Sequence, residues 1–228
     1  MFIPLYDTNK IEHIGFPFVN WTIIVITVAI FVIFQSGLVY SFDGLVEIGF
    51  GVVPAVVTDV RVLPVEAAYI PDEVSLVTYA FLHGDWMHLL GNMLFVWVFG
   101  DNIEDAVGHL KYLFFYLLIA AVSGYAQVWL TPFEEIPLIG ASGAAAGIIG
   151  AYLMLHPNVG VWVLALGRIP LRLPASWCLI AWFVFQLVLF ATDETGEVAW
   201  ITHIVGFVAG ALLIIVLRRQ NVPLFDRT

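Results

Sequence analysis

Six stretches of this chain contain no charged residue, and their lengths restrict what the chain can fold into. No Asp, Glu, Lys or Arg occurs within 14–42, 86–100, 112–133, 136–167, 173–192 or 198–217. An α-helix needs roughly 17–25 apolar residues to cross about 30 Å of hydrocarbon. The stretches predict membrane-spanning helices at about 18–38, 86–104, 112–130, 142–156, 176–192 and 199–217. The chain, 1–228, is therefore predicted to be a single all-α polytopic membrane domain of six transmembrane helices.

The overall composition supports a lipid environment and excludes other classes. Hydrophobic residues make up 61% of the chain and charged residues 11%, against roughly 45–50% and about 25% in soluble domains. The net charge of -10 argues against a nucleic-acid partner. The single cysteine, Cys178, excludes an intramolecular disulfide framework.

The basic residues predict how the chain is oriented. Six spans put both termini on one side, and that side would hold seven of the eight basic residues: Lys10, Lys111, Arg168, Arg172, Arg218, Arg219 and Arg227. Only Arg61 would lie on the opposite side, which collects most of the acidic residues. Because cytoplasmic loops carry the excess of Lys and Arg, both termini are predicted to be cytoplasmic, in a multi-pass protein of the cell (inner) membrane.

The connection between the first two helices, 39–85, is much the longest. It combines apolar stretches with Pro54, Pro64 and Pro71. Loops of this length are usually functional or disordered, and this one is too apolar for disorder. It is predicted to pack on or in the outer leaflet as a membrane-associated first loop.

The notable polar residues inside the predicted spans are His88, Asn92, Ser142, Gln186 and His203. A polar residue in a span indicates a functional site, because its burial in lipid is costly. The second, fourth and sixth helices run in the same direction, so all of these residues except Gln186 would lie at one depth, just below the outer surface. Gln186 has no partner at matching depth and is interpreted as an interhelical contact.

Ser142 lies at the start of the fourth helix, in Gly140-Ala141-Ser142-Gly143. Unsatisfied backbone N–H groups and the positive end of the helix dipole occur at such a position. Both would stabilise an oxyanion formed when a serine attacks a carbonyl carbon.

Small residues recur along the fourth and sixth helices, as Gly143 and Gly147 on one and Gly206 and Gly210 on the other. Such faces let helix backbones approach closely in lipid. If they meet, Ser142 and His203 meet at the outer end, as a nucleophile and its base require. Gly124, on the third helix, has no proposed catalytic contact.

Each feature alone also has a purely structural explanation. Glycine stripes often serve packing, a serine at a helix start is usually an N-cap, and intramembrane His or Asn residues often bond to a neighbouring helix. Two other functions fit the pattern less well. A channel or transporter would spread its polar groups through the bilayer, and a metal site of His83, Asp85 and His88 lacks the H-E-x-x-H pattern.

Taken together, the motifs resemble the rhomboid intramembrane proteases in order and spacing, over nearly the whole chain in a minimal six-helix, bacterial-type form. The segments that carry the resemblance are Phe81-Leu-His83-Gly-Asp-Trp86-Met-His88-Leu-Leu-Gly-Asn92-Met, Phe99-Gly-Asp-Asn-Ile-Glu104, Gly140-Ala-Ser142-Gly143 and His203-Ile-Val-Gly206-Phe-Val-Ala-Gly210. Ile3-Pro-Leu-Tyr-Asp-Thr-Asn9 and Gly51-Val-Val-Pro54-Ala also resemble bacterial members.

The resemblance implies a serine endopeptidase with a Ser142–His203 dyad, and no Asp or Glu in the sixth helix would complete a triad. It implies an oxyanion hole formed by His88, Asn92 and the backbone N–H groups of Ser142 and Ala141. The implied substrates are transmembrane segments of other proteins in the lipid bilayer, cut near the outer face. No metal or cofactor is implied, and the oligomeric state is left open.

The resemblance also assigns Glu104 a structural role near the cytoplasmic end of the second helix. A catalytically inactive membrane-protein binding module is the alternative, and the presence of both Ser142 and His203 argues against it. The chain departs from the family where Ala146 replaces a ring that often stacks on the catalytic imidazole. It also lacks a Trp-Arg pair within 65–80 and has Asp85 in the usual His-Gly-Gly-Trp motif.

Overall fold

The computed structural model describes residues 2–40, 44–165, 167–193 and 198–226. The helices are, in chain order, α1 (Phe18–Ile30, extended by a π-helical turn, Phe31–Gln35), α2 (Leu45–Phe50), α3 (Pro54–Val57), α4 (Ser75–Thr78), α5 (Trp86–Val107), α6 (His109–Leu130), α7 (Ser142–Leu155), α8 (Ala175–Thr192) and α9 (Trp200–Leu217). The strands are β1 (Phe2–Asp7), β2 (Gly160–Ala165) and β3 (Ile169–Pro174).

The six long helices begin and end within a few residues of the predicted bounds. The first ends at Gln35 rather than 38, because Gly37 adopts a left-handed conformation (φ +72°) that stops the helix. By length and composition, four helices of the described chain could cross a membrane: α1 with its extension, α6, α8 and α9. α5 has the length but carries three acidic residues in its last two turns, and α7 has only 14 residues.

A small antiparallel sheet, in the order β1-β2-β3, was not predicted and qualifies the all-α assignment. β1 pairs with β2, and β2 pairs with β3, so the sheet ties the N-terminus to the connection between α7 and α8. Val161 and Val163 of β2 are buried and their neighbours are not, which is the alternation of a half-buried strand. β2 lies within an uncharged stretch, so the charge pattern could not separate it from a helix.

Both termini lie at one end of the bundle, which we call the terminal face. The Asp7 carboxylate accepts hydrogen bonds from Tyr152 Oη (2.5 Å), near the end of α7, and from Asn102 Nδ2 (3.0 Å), near the end of α5. At the other terminus, Phe225 N donates to Met154 O (2.8 Å). The opposite end, which we call the site face, carries the N-terminal ends of α5, α7 and α9.

Glu104 binds the start of α1 to the end of α5. Its side chain is fully buried, and its two carboxylate oxygens accept hydrogen bonds from Val19 N (3.1 Å) and Asn20 N (2.7 Å). His109 Nδ1 lies 2.5 Å from Oε1 of the same group. A carboxylate at a helix N-terminus satisfies free N–H groups and interacts favourably with the helix dipole. This geometry supports the structural role proposed for Glu104.

Asp7 should make the attachment of β1 sensitive to pH. Burial raises the pKa of the Asp7 carboxyl from 3.8 to about 7. Because the folded state then holds this proton more tightly than the unfolded state, the stability that Asp7 contributes is greatest below pH 4 and declines as pH rises toward 7. We expect amide hydrogen exchange in β1 to accelerate between pH 5 and 8 beyond the intrinsic chemical rate, and Asp7→Asn to remove that excess. An equal excess of exchange in the wild type and in Asp7→Asn would show that Asp7 is not the group responsible.

The glycine faces of α7 and α9 meet, as predicted. A Cβ added at Gly206 would overlap the carbonyl oxygen of Gly143, and one added at Gly210 would overlap the backbone of Gly147. A Cβ at Gly147 would lie 3.1 Å from Gly206 O and would also press on Ile119. The two backbones are thus in direct contact, which fixes the start of α9 relative to the start of α7.

The first loop supports the irregular segment that precedes α7. Val52 and Leu138 exchange two backbone hydrogen bonds (3.0 and 2.7 Å), Ala55 N donates to Glu134 O (2.9 Å), and Thr58 Oγ1 donates to Pro132 O (2.8 Å). Non-helical backbone at membrane depth is tolerated where protein satisfies its polar groups. The loop therefore positions the segment that carries Ser142.

Candidate active site

A cavity of about 870 Å³ opens at the site face between α5, α7, α8 and α9. The polar residues that the sequence placed at one depth all line it: His88, Asn92, Ser142 and His203. Gln186, which was assigned no partner at that depth, lines the same cavity.

Ser142 is the first residue of α7. The preceding Ala141 has φ −75° and ψ 0°, and no side chain among the described residues caps the helix. The N–H groups of its first turn therefore have no side-chain partner, and the positive end of the helix dipole lies at the serine. This is a favourable place for negative charge to develop beside the Ser142 hydroxyl.

Gly140 lets His88 pack against the backbone that leads to Ser142. Its φ of +122° is a conformation that other residues rarely adopt. An added Cβ would also lie 2.6 Å from His88 Nε2 and 3.7 Å from Asn92 Nδ2. The Gly140 N–H donates to Tyr79 O (3.0 Å), which fixes the turn. Only glycine allows the His88 imidazole to approach this closely.

His83 is a site residue whose contacts the sequence did not reveal. Its imidazole is fully buried, and burial lowers its pKa to about 3, so it is neutral. Nε2 lies 3.0 Å from Asn92 Nδ2 and 3.5 Å from Ala141 N. The Ala141 N–H predicted for the oxyanion hole is thus directed at His83 in this structure, whereas Asn92 retains its second amide hydrogen. The only sequence signal for His83 is its place in the His83-Gly-Asp-Trp86 segment.

His203 is held from α8. Its Nδ1 lies 2.9 Å from Gln186 Oε1, so the interpretation of Gln186 as a residue without a partner at this depth was wrong. No hydrogen bond within 3.5 Å joins Ser142 to His203 in the described part of the chain, although both line the cavity. Nucleophile–base contacts in proteins without substrate are often long and tighten only in the complex.

The arrangement does not form a metal site within the described ranges. His83 and His88 lie with ring centroids 5.0 Å apart, but no group of three His, Cys, Asp or Glu side chains converges there. Asp85, the third member of the metal alternative, caps α5 by accepting hydrogen bonds from Met87 N (2.7 Å) and His88 N (2.9 Å). These hydrogen bonds lower the pKa of the Asp85 carboxyl.

Comparison with known proteins points to one family. The family model described as Rhomboid domain matches residues 71–220. "Rhomboid protein 1, mitochondrial" of Saccharomyces cerevisiae is 26% identical over 133 residues, which cover 52% of this chain and 38% of that protein. "Rhomboid-like protease 3" of Toxoplasma gondii is 29% identical over 61% of this chain and 49% of its own length.

A bacterial relative gives a similar match. "Rhomboid protease GlpG" of Pectobacterium atrosepticum is 30% identical over 140 residues, which cover 60% of this chain and 45% of that protein. The chain thus matches less than half of the length of each of these relatives. The family match spans α4 to α9 and includes every residue that lines the cavity except Pro54 of the first loop. This protein belongs to the rhomboid family.

Proposed function

We propose that this protein is an intramembrane serine endopeptidase that cuts transmembrane segments of other membrane proteins with a Ser142–His203 dyad. The observation that carries the proposal is the shared cavity. Ser142, at the N-terminus of α7, and His203, on α9, both line this cavity at the site face. The backbones of α7 and α9 are in direct contact. Three similar proteins carry protease or rhomboid in their names, which agrees with the proposal.

In the proposed mechanism Ser142 Oγ attacks the scissile carbonyl carbon while His203 Nε2 takes the serine proton. Asn92, His88 and the N–H of Ser142 stabilise the oxyanion. His203 then gives the proton to the leaving amine, and water hydrolyses the acyl-enzyme. The cavity supplies that water, since it opens at the site face. We further propose that the site face is the outer face and that the termini are cytoplasmic, as the positions of Lys and Arg indicate.

The test is cleavage by purified protein in liposomes. The substrate is a single-pass transmembrane segment, and mass spectrometry locates the cut. We expect a cut near the membrane surface that the site face contacts, without added metal or cofactor. Binding of the segment with no product under any condition would instead support the inactive binding module.

Asn92→Ala should lower turnover far more than it weakens substrate binding. One amide hydrogen of Asn92 is directed at His83, and the second is free to bond the oxyanion. The charge on that oxyanion develops only in the transition state. Removal of one oxyanion donor typically lowers kcat by roughly 10²–10³. Steady-state kinetics should show that loss in kcat with KM little changed. A raised KM with an intact kcat would assign Asn92 to substrate binding instead.

A further inference from the structure

Gln186 is a buried amide in an apolar helix, and its contact is specific. Only 4% of its surface is exposed, and its Oε1 lies 2.9 Å from His203 Nδ1 on the neighbouring helix. An amide buried at this depth is costly unless it has a hydrogen-bond partner. The contact therefore restrains both residues.

This contact determines which nitrogen of His203 carries the hydrogen. An amide oxygen can only accept a hydrogen bond, so Nδ1 must be the donor. In a neutral imidazole the other nitrogen, Nε2, then has a free lone pair. That lone pair is what a general base needs in order to take a proton from a serine.

The rings around His203 also come from outside α7. Trp182, one helical turn before Gln186 on α8, has its ring centroid 6.2 Å from the imidazole, and Trp200 lies edge-on at 5.6 Å. The Trp200 indole is itself fixed, because its Nε1 donates to Asp193 Oδ2 (2.6 Å). Ala146, one turn after Ser142 on α7, contributes only a methyl group to the cavity wall.

We propose that Gln186 is a positioning residue that holds His203 in the Nδ1–H tautomer, with Nε2 free to take the proton of Ser142. This inference rests on the proposed protease function. When Nε2 accepts the serine proton, the imidazolium keeps its Nδ1–H bond to Gln186 Oε1, and the amide dipole stabilises the added charge. A hydrogen-bond acceptor on a separate helix thus orients the His203 imidazole, in place of a carboxylate hydrogen-bonded to Nδ1.

The test compares two variants of the full protein with the wild type. Gln186→Met keeps the length of the side chain but removes the acceptor, and Gln186→Glu keeps an acceptor. Hydrogen bonds to charged groups contribute enough that Gln186→Met should lower kcat by roughly 10- to 100-fold with KM unchanged. Gln186→Glu should retain most of the kcat. Full activity in Gln186→Met, or an equal loss in both variants, would overturn the proposal.

A second readout needs no substrate. The ¹⁵N resonances of His203, identified by their loss in His203→Ala, should show Nδ1 protonated and Nε2 unprotonated in the wild type, and a mixture of tautomers in Gln186→Met. Gln127→Met, which removes a half-buried amide that donates to Thr131 Oγ1 (3.0 Å) at the end of α6, should leave these resonances unchanged. Protonated Nε2 in the wild type would overturn the proposal. If the wild type cleaved nothing, the protease function would fail, while these resonances would still decide the Gln186–His203 pairing.

Discussion

Ser142→Ala and His203→Ala are each expected to abolish cleavage while the protein stays folded. Serine and histidine act as one unit in acyl transfer, so removal of either should lower kcat by on the order of 10⁴-fold or more. For the same reason the double variant should be little worse than either single variant. The measurement is cleavage in liposomes together with thermal unfolding of each purified variant.

The fold should survive both changes. The Ser142 hydroxyl makes no hydrogen bond to the described residues, and the contact between α7 and α9 rests on glycine backbones rather than on these side chains. Ser176→Ala is the matched control, because Ser176 also lies in the first turn of a long helix but at the terminal face, where its N–H donates to Pro157 O. It should retain wild-type activity. Substantial cleavage by Ser142→Ala would contradict the protease assignment.

Gly206→Ala is expected to cost more activity than its small size suggests. The added methyl group would overlap the carbonyl oxygen of Gly143 and lie 3.1 Å from Ser123 Oγ. Backbone atoms cannot rotate away, so α9 must move from α7. Overpacking typically destabilises by about 1–3 kcal/mol. Because Gly143 follows Ser142 directly and Gly206 lies one turn after His203, a displacement of about 1 Å could lower the rate by on the order of 10²-fold.

Gly210→Ala separates the effect on catalysis from the effect on stability. Its methyl group would overlap the backbone of Gly147, one turn farther from the site, so it should destabilise the fold similarly but lower kcat less. Gly91→Ala, where an added Cβ has nothing within 4 Å, should not lower the unfolding temperature, because alanine is also the better helix former. Melting curves and kcat should be measured for all three variants. Full activity and unaltered melting in Gly206→Ala would show that the helices do not meet as described.

Much of the bundle follows from the sequence because charges delimit apolar helices in lipid. The same signal explains what it missed. β2 carries no charge, so the charge pattern did not distinguish this strand from a helix, and its partner β1 lies far away in the chain. Gly124 was predicted to have no catalytic contact, but its packing was not predicted: an added Cβ would lie 2.9 Å from Cε1 of Tyr79, a residue of the first loop. Nothing in a helical pattern reveals where a long loop folds back.

The candidate site could be predicted in part for a similar reason. Depth along each helix follows from residue number, so Ser142, His203, His88 and Asn92 could be assigned to one layer. Rotation of a helix about its axis does not follow in the same way, because α8 is apolar on all sides. The sequence therefore revealed a polar Gln186 but not that it faces His203. The direction of the Ala141 N–H toward His83 depends on the turn at Gly140, which only coordinates reveal.

The most direct test of the central claim is to ask whether Ser142 is a nucleophile that His203 activates. A fluorophosphonate reacts with activated serine hydroxyls, and mass spectrometry of the labelled protein in membranes locates the adduct. We predict a single adduct on Ser142 in the wild type, none in Ser142→Ala, and labelling reduced by at least tenfold in His203→Ala, as expected when a base is removed. Labelling of Ser142 at the same rate without His203, or cleavage by a protein whose labelled serine lies elsewhere, would contradict the Ser142–His203 dyad.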